Sequence, residues 1–189
     1  IKDINLNPTR TGILKILNQM KAKVKILNKK NYKGETVGDI HIKSTNSFKS
    51  INCDPVINSE AIDEFLLIFL IAAKAKGVSK FRNLNELNKK ESPRLDISIK
   101  FLKMIGIKVF RKKNNIKIYG NPDLKLRKNY HVRKFLKDHR VFMMSVIAAL
   151  TLGGNWKIDD KDSIKTSFPK FLEITKKLGA RINWKKKNL

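Results

Sequence analysis

Residues 98–111 read SIKFLKMIGIKVFR. Apolar and polar side chains recur at helical spacing up to Gly106, and a short β-branched stretch with Lys108 follows. The same sentence is written twice more, as ILKILNQMKAKVKI at residues 13–26 and FLEITKKLGARINW at residues 171–184. Each copy predicts an amphipathic helix that stops at Gly or Lys and turns into a strand bearing Lys23, Lys108 or Arg181. A second pair lies between them: IDEFLLIFLIAAKAKGVSKFR at residues 62–82 and KDHRVFMMSVIAALTLGGNWKI at residues 137–158. Both begin with an acid, continue as an almost wholly apolar helix and end at glycine before a strand. Copies recur roughly every 73 to 85 residues, too long for a solenoid repeat and suited to an α/β unit repeated about an axis.

The first set of helices has a wet face, whereas the second is apolar all round and should be buried. Alternating segments, GDIHIKS at residues 38–44 and NIKIYG at residues 115–120, predict strands with one exposed face. Turn signals fall at residues 31–34 and 120–123. The architecture expected is α/β with helices inside and sheets outside, an inside-out barrel of repeated units. A length of 189 residues suits one domain. The start, IKDINLNPTRTG, reads as a strand already under way, which favours a truncated chain.

The formal charge is +26, from 42 Lys and Arg against 16 Asp and Glu. Such a charge suggests nucleic acid or an anionic membrane. Lysines, however, are spread over every segment beside abundant Asn and Ile, without the aromatic interleaving of a base-stacking platform. A basic nucleic-acid-binding protein therefore stands only as the alternative from another class; duplex binding that survived Arg94→Ala and Arg140→Ala would support it. The longest apolar run, residues 65–73, falls short of the ~20 residues that span a bilayer. Cys53, the single cysteine, has no disulfide partner and no metal-ligand spacing, so a cytoplasmic chain with a buried or idle thiol is expected.

Polar residues at the helix beginnings carry the chemical signal. Asp63 and Glu64 open one apolar helix, where an acid is favoured by the unpaired N–H groups, and that local reading is the plainer one for Glu64. Asp138 opens the other, but His139 and Arg140 follow it and oppose the helix dipole. In NKKESPRLD, residues 88–96, Ser92 reads as an N-cap and Pro93 as the first helical residue, which puts Arg94 in the first turn. If these starts face one end of the domain, Arg94, Arg140 and Lys90 converge on an anion with help from exposed N–H groups. Glu91 would there keep its charged form and exchange a proton once a polyanion cancels the field. A surface ion-pair network is the competing reading.

NPTRTG (7–12), NELNKKESPR (85–94), KDHRVFMM (137–144) and TSFPKF (166–171) occur in this order. Together they resemble the C-terminal half of the 5-enolpyruvylshikimate-3-phosphate synthase family, over residues 7 to about 180. The resemblance implies an enzyme of two similar domains, each an inside-out α/β barrel. The whole chain, residues 1–189, would be the C-terminal domain, and the N-terminal domain its missing partner. The implied reaction moves the enolpyruvyl group of phosphoenolpyruvate to the 5-hydroxyl of shikimate 3-phosphate and releases phosphate, without metal or organic cofactor.

By motif, Asp63 is similar to the carboxylate that holds and deprotonates the 5-hydroxyl. Lys90 resembles the lysine between the substrates, and Glu91 the glutamate in proton traffic at the methylene carbon. Arg94 and Arg140 match the arginines that grip phosphoenolpyruvate; His139 is kept as structural. The sister reaction on a UDP-sugar, that of UDP-N-acetylglucosamine enolpyruvyl transferase, fits KESPR and DHR less well. The family usually has Asp at the place of Pro93, commonly Arg at that of Asn88, and in some members Lys at that of Thr166, which leaves a role for Lys165 in doubt. With half the site, the chain alone is expected to be inactive.

Overall fold

A computed structural model describes residues 1–183 of the chain. After a short strand β1 (Ile4–Asn5) come α1 (Gly12–Gln19), β2 (Lys23–Tyr32), β3 (Glu35–Lys43), β4 (Phe48–Lys49), α2 (Phe65–Lys74) and β5 (Ala75–Phe81). The same order then recurs as α3 (Arg94–Met104), β6 (Lys108–Lys112), β7 (Asn115–Gly120), β8 (Leu126–Val132), α4 (His139–Leu152) and β9 (Gly153–Ile158), before α5 (Phe171–Lys177) opens a third round. The repeat legible in the sequence is therefore a unit of six elements, α-β-β-β-α-β. Its first two strands form an antiparallel hairpin, β2 with β3 and β6 with β7. Its last two are parallel, β4 with β5 and β8 with β9, so each apolar helix is the crossover that parallel pairing requires.

The chain divides into two compact units, Ile1–Leu124 and Lys125–Leu189. In the first, a three-stranded sheet runs β1-β3-β2 and a four-stranded sheet β4-β5-β7-β6. Its centre is α2, with Phe65, Leu66, Ile68, Phe69, Leu70, Ala72 and Ala73 all buried. Phe65, Phe69 and Phe81 meet edge to face or tilted, with centroids 5.1–6.1 Å apart. Burying each such ring contributes roughly 1.5–3 kcal/mol. In the second unit the parallel pair β8-β9 is joined by α4, whose Val141, Phe142, Met144 and Ala148 are buried, and Tyr130 stacks on Trp156 at 4.6 Å. No helix among the described residues is long and apolar enough to cross a membrane.

The amphipathic helices stop by one device. Lys21 (φ 62°), Gly106 (φ 83°) and Gly179 (φ 98°) are left-handed. In each case the left-handed residue donates to the carbonyl three back, and the next residue donates to the carbonyl five back: Ala22 to Leu17 at 2.9 Å, Ile107 to Leu102 at 2.9 Å and Ala180 to Thr175 at 3.0 Å. These are Schellman motifs, which satisfy the last free carbonyls. The stop at Gly or Lys is thus a backbone requirement.

Three sequence expectations are corrected. The first apolar helix begins at Phe65 rather than at Asp63, and it ends at Lys74, three residues before Gly77, which lies within β5. Its start is displaced because residues 58–64 are a run of turns. Arg181 is not in a strand; Trp184, the end of the third copy, lies outside the described residues. Finally, Ser92 is not the N-cap of α3 and Pro93 is not its first residue: Pro93 holds the cap position with ψ 73°, outside the helical region, and Arg94 is the first helical residue.

Candidate active site

The candidate residues all sit where a strand hands over to a helix. Asp63 lies between β4 and α2; Lys90 and Glu91 lie between β5 and α3, with Arg94 the first residue of α3; Arg140 follows β8, at the start of α4. In the β5–α3 connection a short 3-10 turn, Asn85–Lys89, buries Leu87 and leaves Lys90 exposed. Pro93 then makes an inverse γ-turn, φ −71° and ψ 73°, across which the Arg94 N–H donates to the Ser92 carbonyl at 2.7 Å. Asn88 caps the helix from upstream: its Oδ1 accepts from the N–H groups of Leu95 at 3.0 Å and Asp96 at 3.3 Å, and its Nδ2 donates to Asp96 Oδ1 at 3.1 Å. The Asp96 carboxylate is also paired with Arg111.

This cap overturns one part of the anion-site expectation. The Ile97 N–H donates to the Pro93 carbonyl, so the first four amides of α3 are all engaged. At α4, Asp138 Oδ1 accepts from Arg140 N–H at 2.9 Å and Val141 N–H at 3.4 Å. The first four amides of α3 and, at α4, those of Arg140, Val141 and Phe142 thus serve side chains and carbonyls of the chain itself.

Arg94 is 0% exposed, the largest fully buried side chain described. A buried guanidinium costs several kcal/mol unless its N–H groups find acceptors. Nη1 donates to Asp63 Oδ1 at 3.3 Å, and Nη2 to the Glu91 carboxylate. Asp63 is bound on its other oxygen too, since Oδ2 lies 3.5 Å from Nη1 of Arg10. Glu91 has a side chain 57% exposed, so it reaches Arg94 from the solvent side. The first unit thus brings three sequence candidates, Asp63, Glu91 and Arg94, into one ion-pair cluster. A surface network is not what this is, because its centre is wholly buried.

Lys90 lines a neighbouring cleft of about 360 Å³ with Pro55, Asn58, Ser59, Ile62, Asn83, Leu84 and Glu86. Asn58 ties its two walls together, donating from Nδ2 to the carbonyls of Arg82 at 2.8 Å and Asn83 at 3.2 Å. The cleft is therefore framed by the same two connections that supply the ion-pair cluster. Arg140 and His139 are half-buried on the first turn of α4 in the second unit. Lys165 is exposed and pairs with Asp162 at 3.1 Å. Cys53 is buried, and burial pushes its thiol up to about 11, with Asp54 adding to the effect. Arg10 and the capping role of Asn88 have no local signal: NPTRTG marks the first only as a family motif, and an Asn six residues before the first helical residue carries no local capping signal.

Known proteins match this chain over most of its length. The family model described as EPSP synthase (3-phosphoshikimate 1-carboxyvinyltransferase) matches residues 1–175. The 3-phosphoshikimate 1-carboxyvinyltransferase of Petrotoga mobilis is 36% identical over 178 residues, which is 94% of this chain and 40% of that protein. The protein of the same name from Zymomonas mobilis is 35% identical over 182 residues, covering 95% of this chain and 40% of its own length. Among solved structures, EPSP synthase from Acinetobacter baumannii superposes with a TM-score of 0.87 at 32% identity, over 94% of this chain and 40% of that one. The enolpyruvyl transferase NikO from Streptomyces tendae shares the fold at a TM-score of 0.64 and 16% identity, over 92% of this chain and 36% of that one. The chain spans about 40% of the length of the curated relatives it matches, and on the extent of the family match it belongs to the EPSP synthase family.

Proposed function

We propose that the chain supplies the C-terminal domain of an enolpyruvyl transferase that acts on phosphoenolpyruvate and shikimate 3-phosphate in the cytoplasm. Its partner would be the N-terminal portion that its relatives carry. The observation that supports this most is the buried Arg94 held between Asp63 and Glu91. Two polyanionic substrates must be kept side by side against their mutual repulsion, which calls for fixed cations, and the addition also needs groups that move protons.

In this reading Asp63 accepts the proton of the 5-hydroxyl as its oxygen bonds to C2 of phosphoenolpyruvate. The methylene carbon takes up a proton delivered through Glu91, giving a tetrahedral intermediate. Loss of that proton back to Glu91, with cleavage of the C2–O bond to the phosphoryl group, regenerates the double bond and releases phosphate. Lys90, projecting into the cleft, stabilises charge between the substrates. Arg94 holds the carboxylate or phosphate of phosphoenolpyruvate, Arg140 is assigned an anion-binding role by its motif alone, and Glu91, being on the solvent side, yields its place on Arg94 to the ligand's anion. Asn88 substitutes for the arginine common in the family by fixing the α3 start that aims Arg94.

The test joins the chain to the N-terminal portion of the Petrotoga mobilis relative and follows phosphate release with both substrates. Turnover by the joined protein, with none from the chain alone, is expected. A joined protein that folds and binds both substrates yet releases no phosphate would overturn the proposal.

A further inference from the structure

The NPTRTG segment has no part in the reaction proposed above, yet the fold builds it with care. Asn7 caps its short 3-10 turn, accepting at Oδ1 from Thr9 N–H at 2.9 Å and Thr9 Oγ1 at 2.8 Å. Gly12 then lies flat against the β4–α2 connection: a Cβ there would stand 2.8 Å from the backbone carbon and the Cβ of Glu60, and 2.9 Å from the nitrogen of Ala61. Its N–H donates to the Glu60 carbonyl at 3.2 Å, and Lys15 pairs with the Glu60 carboxylate at 2.6 Å. The segment's end at Gly12 and the following Lys15 are thus fastened to residues 60–61, and Asp63 is two residues further on.

The outcome of this docking is Arg10 beside Asp63. Arg94 Nη1 contacts Oδ1 at 3.3 Å, and Arg10 Nη1 faces Oδ2 at 3.5 Å. A carboxylate held by one guanidinium can still swing about its last bond; held at each oxygen from a different element, it has one orientation. Topology accounts for the pair, since the segment joins β1 to α1 as KESPR joins β5 to α3, and β1 pairs antiparallel with β3 as β5 does with β7. Equivalent connections in successive repeats thus each deliver an arginine to one aspartate.

We infer that Arg10 is a positioning residue of the transferase site, orienting the Asp63 carboxylate toward the hydroxyl it deprotonates, and that NPTRTG exists to place it. The inference rests on the role of Asp63 proposed above. Arg10 has a side chain 72% exposed, so its removal costs little folding stability, and its effect belongs in the chemical step.

The experiment uses the joined, two-part protein with phosphoenolpyruvate and shikimate 3-phosphate. Arg10→Gln is expected to lower kcat by about ten-fold to a hundred-fold, with KM for both substrates held within about two-fold. Its urea midpoint should match wild type, and Arg10→Lys, which restores the charge, should recover most of the rate. In an Asp63→Asn background the Arg10→Gln change should add nothing further. Wild-type kcat in Arg10→Gln, a loss confined to KM, a lowered urea midpoint, or failure of Arg10→Lys to recover would each overturn the assignment of Arg10. The reading of Asp63 fails separately, if Asp63→Asn by itself turns over at the wild-type rate.

Discussion

Arg94 combines full burial with full charge, and its neighbours show why the fold tolerates it. Both terminal nitrogens reach carboxylates, one from a connection 31 residues earlier and one from the preceding turn. Replacing it by Ala leaves Asp63 without its buried cation and opens a cavity, so a loss of about 3–5 kcal/mol in urea unfolding is expected. Glu91→Gln removes only the solvent-side partner and should cost no more than about 1 kcal/mol. Cys53 gives an independent check on the core: buried, and with its thiol pushed up to about 11, it should react with a disulfide reagent at pH 8 only in urea. At this scale the sequence exposed Arg94 as an oddity, a cation in a first turn. Its burial was not legible, because nothing local to SPRLD tells of a partner at Asp63.

Helix ends read better than helix beginnings. All three amphipathic helices stop where the sequence placed a Gly or Lys, since the left-handed residue of a Schellman motif has a strong composition bias. Lys21 holds that conformation at φ 62° with a side chain in the way, so Lys21→Gly should stabilise the chain by about 1 kcal/mol in urea. The beginnings of α2 and α3 lie two residues and one residue beyond their sequence signals, for two distinct reasons. At α3 the cap comes from Asn88, outside the usual local window, and Asn88→Ala should cost about 1 kcal/mol, within the range of lost N-caps. At α2 the turns of residues 58–64 are fixed by contact with another element, through Gly12. Gly12→Ala should therefore destabilise by about 1–3 kcal/mol, measured by the same unfolding.

Across the molecule, periodicity alone disclosed helices buried by their apolar faces, strands with one exposed side and a repeat. The six-element order of that repeat needed coordinates, because β4 has two residues and β1 two, too short to leave a pattern of period two. Repetition also explains the site: every candidate residue lies at a strand-to-helix connection, so copying one unit copies a place for a polar side chain. The charge of +26 is spread over every segment of the chain. Most lysines are exposed along strands and turns, whereas Arg94 is a buried cation set against the carboxylates of Asp63 and Glu91.

Central to this account is that Glu91 handles protons rather than merely gripping substrate through Arg94. Steady-state phosphate release by the joined protein, comparing wild type with Glu91→Gln, tests that directly. The account predicts a fall in kcat of at least about a hundred-fold with both KM values within about three-fold. An unchanged kcat, or a loss carried wholly by KM, would contradict it.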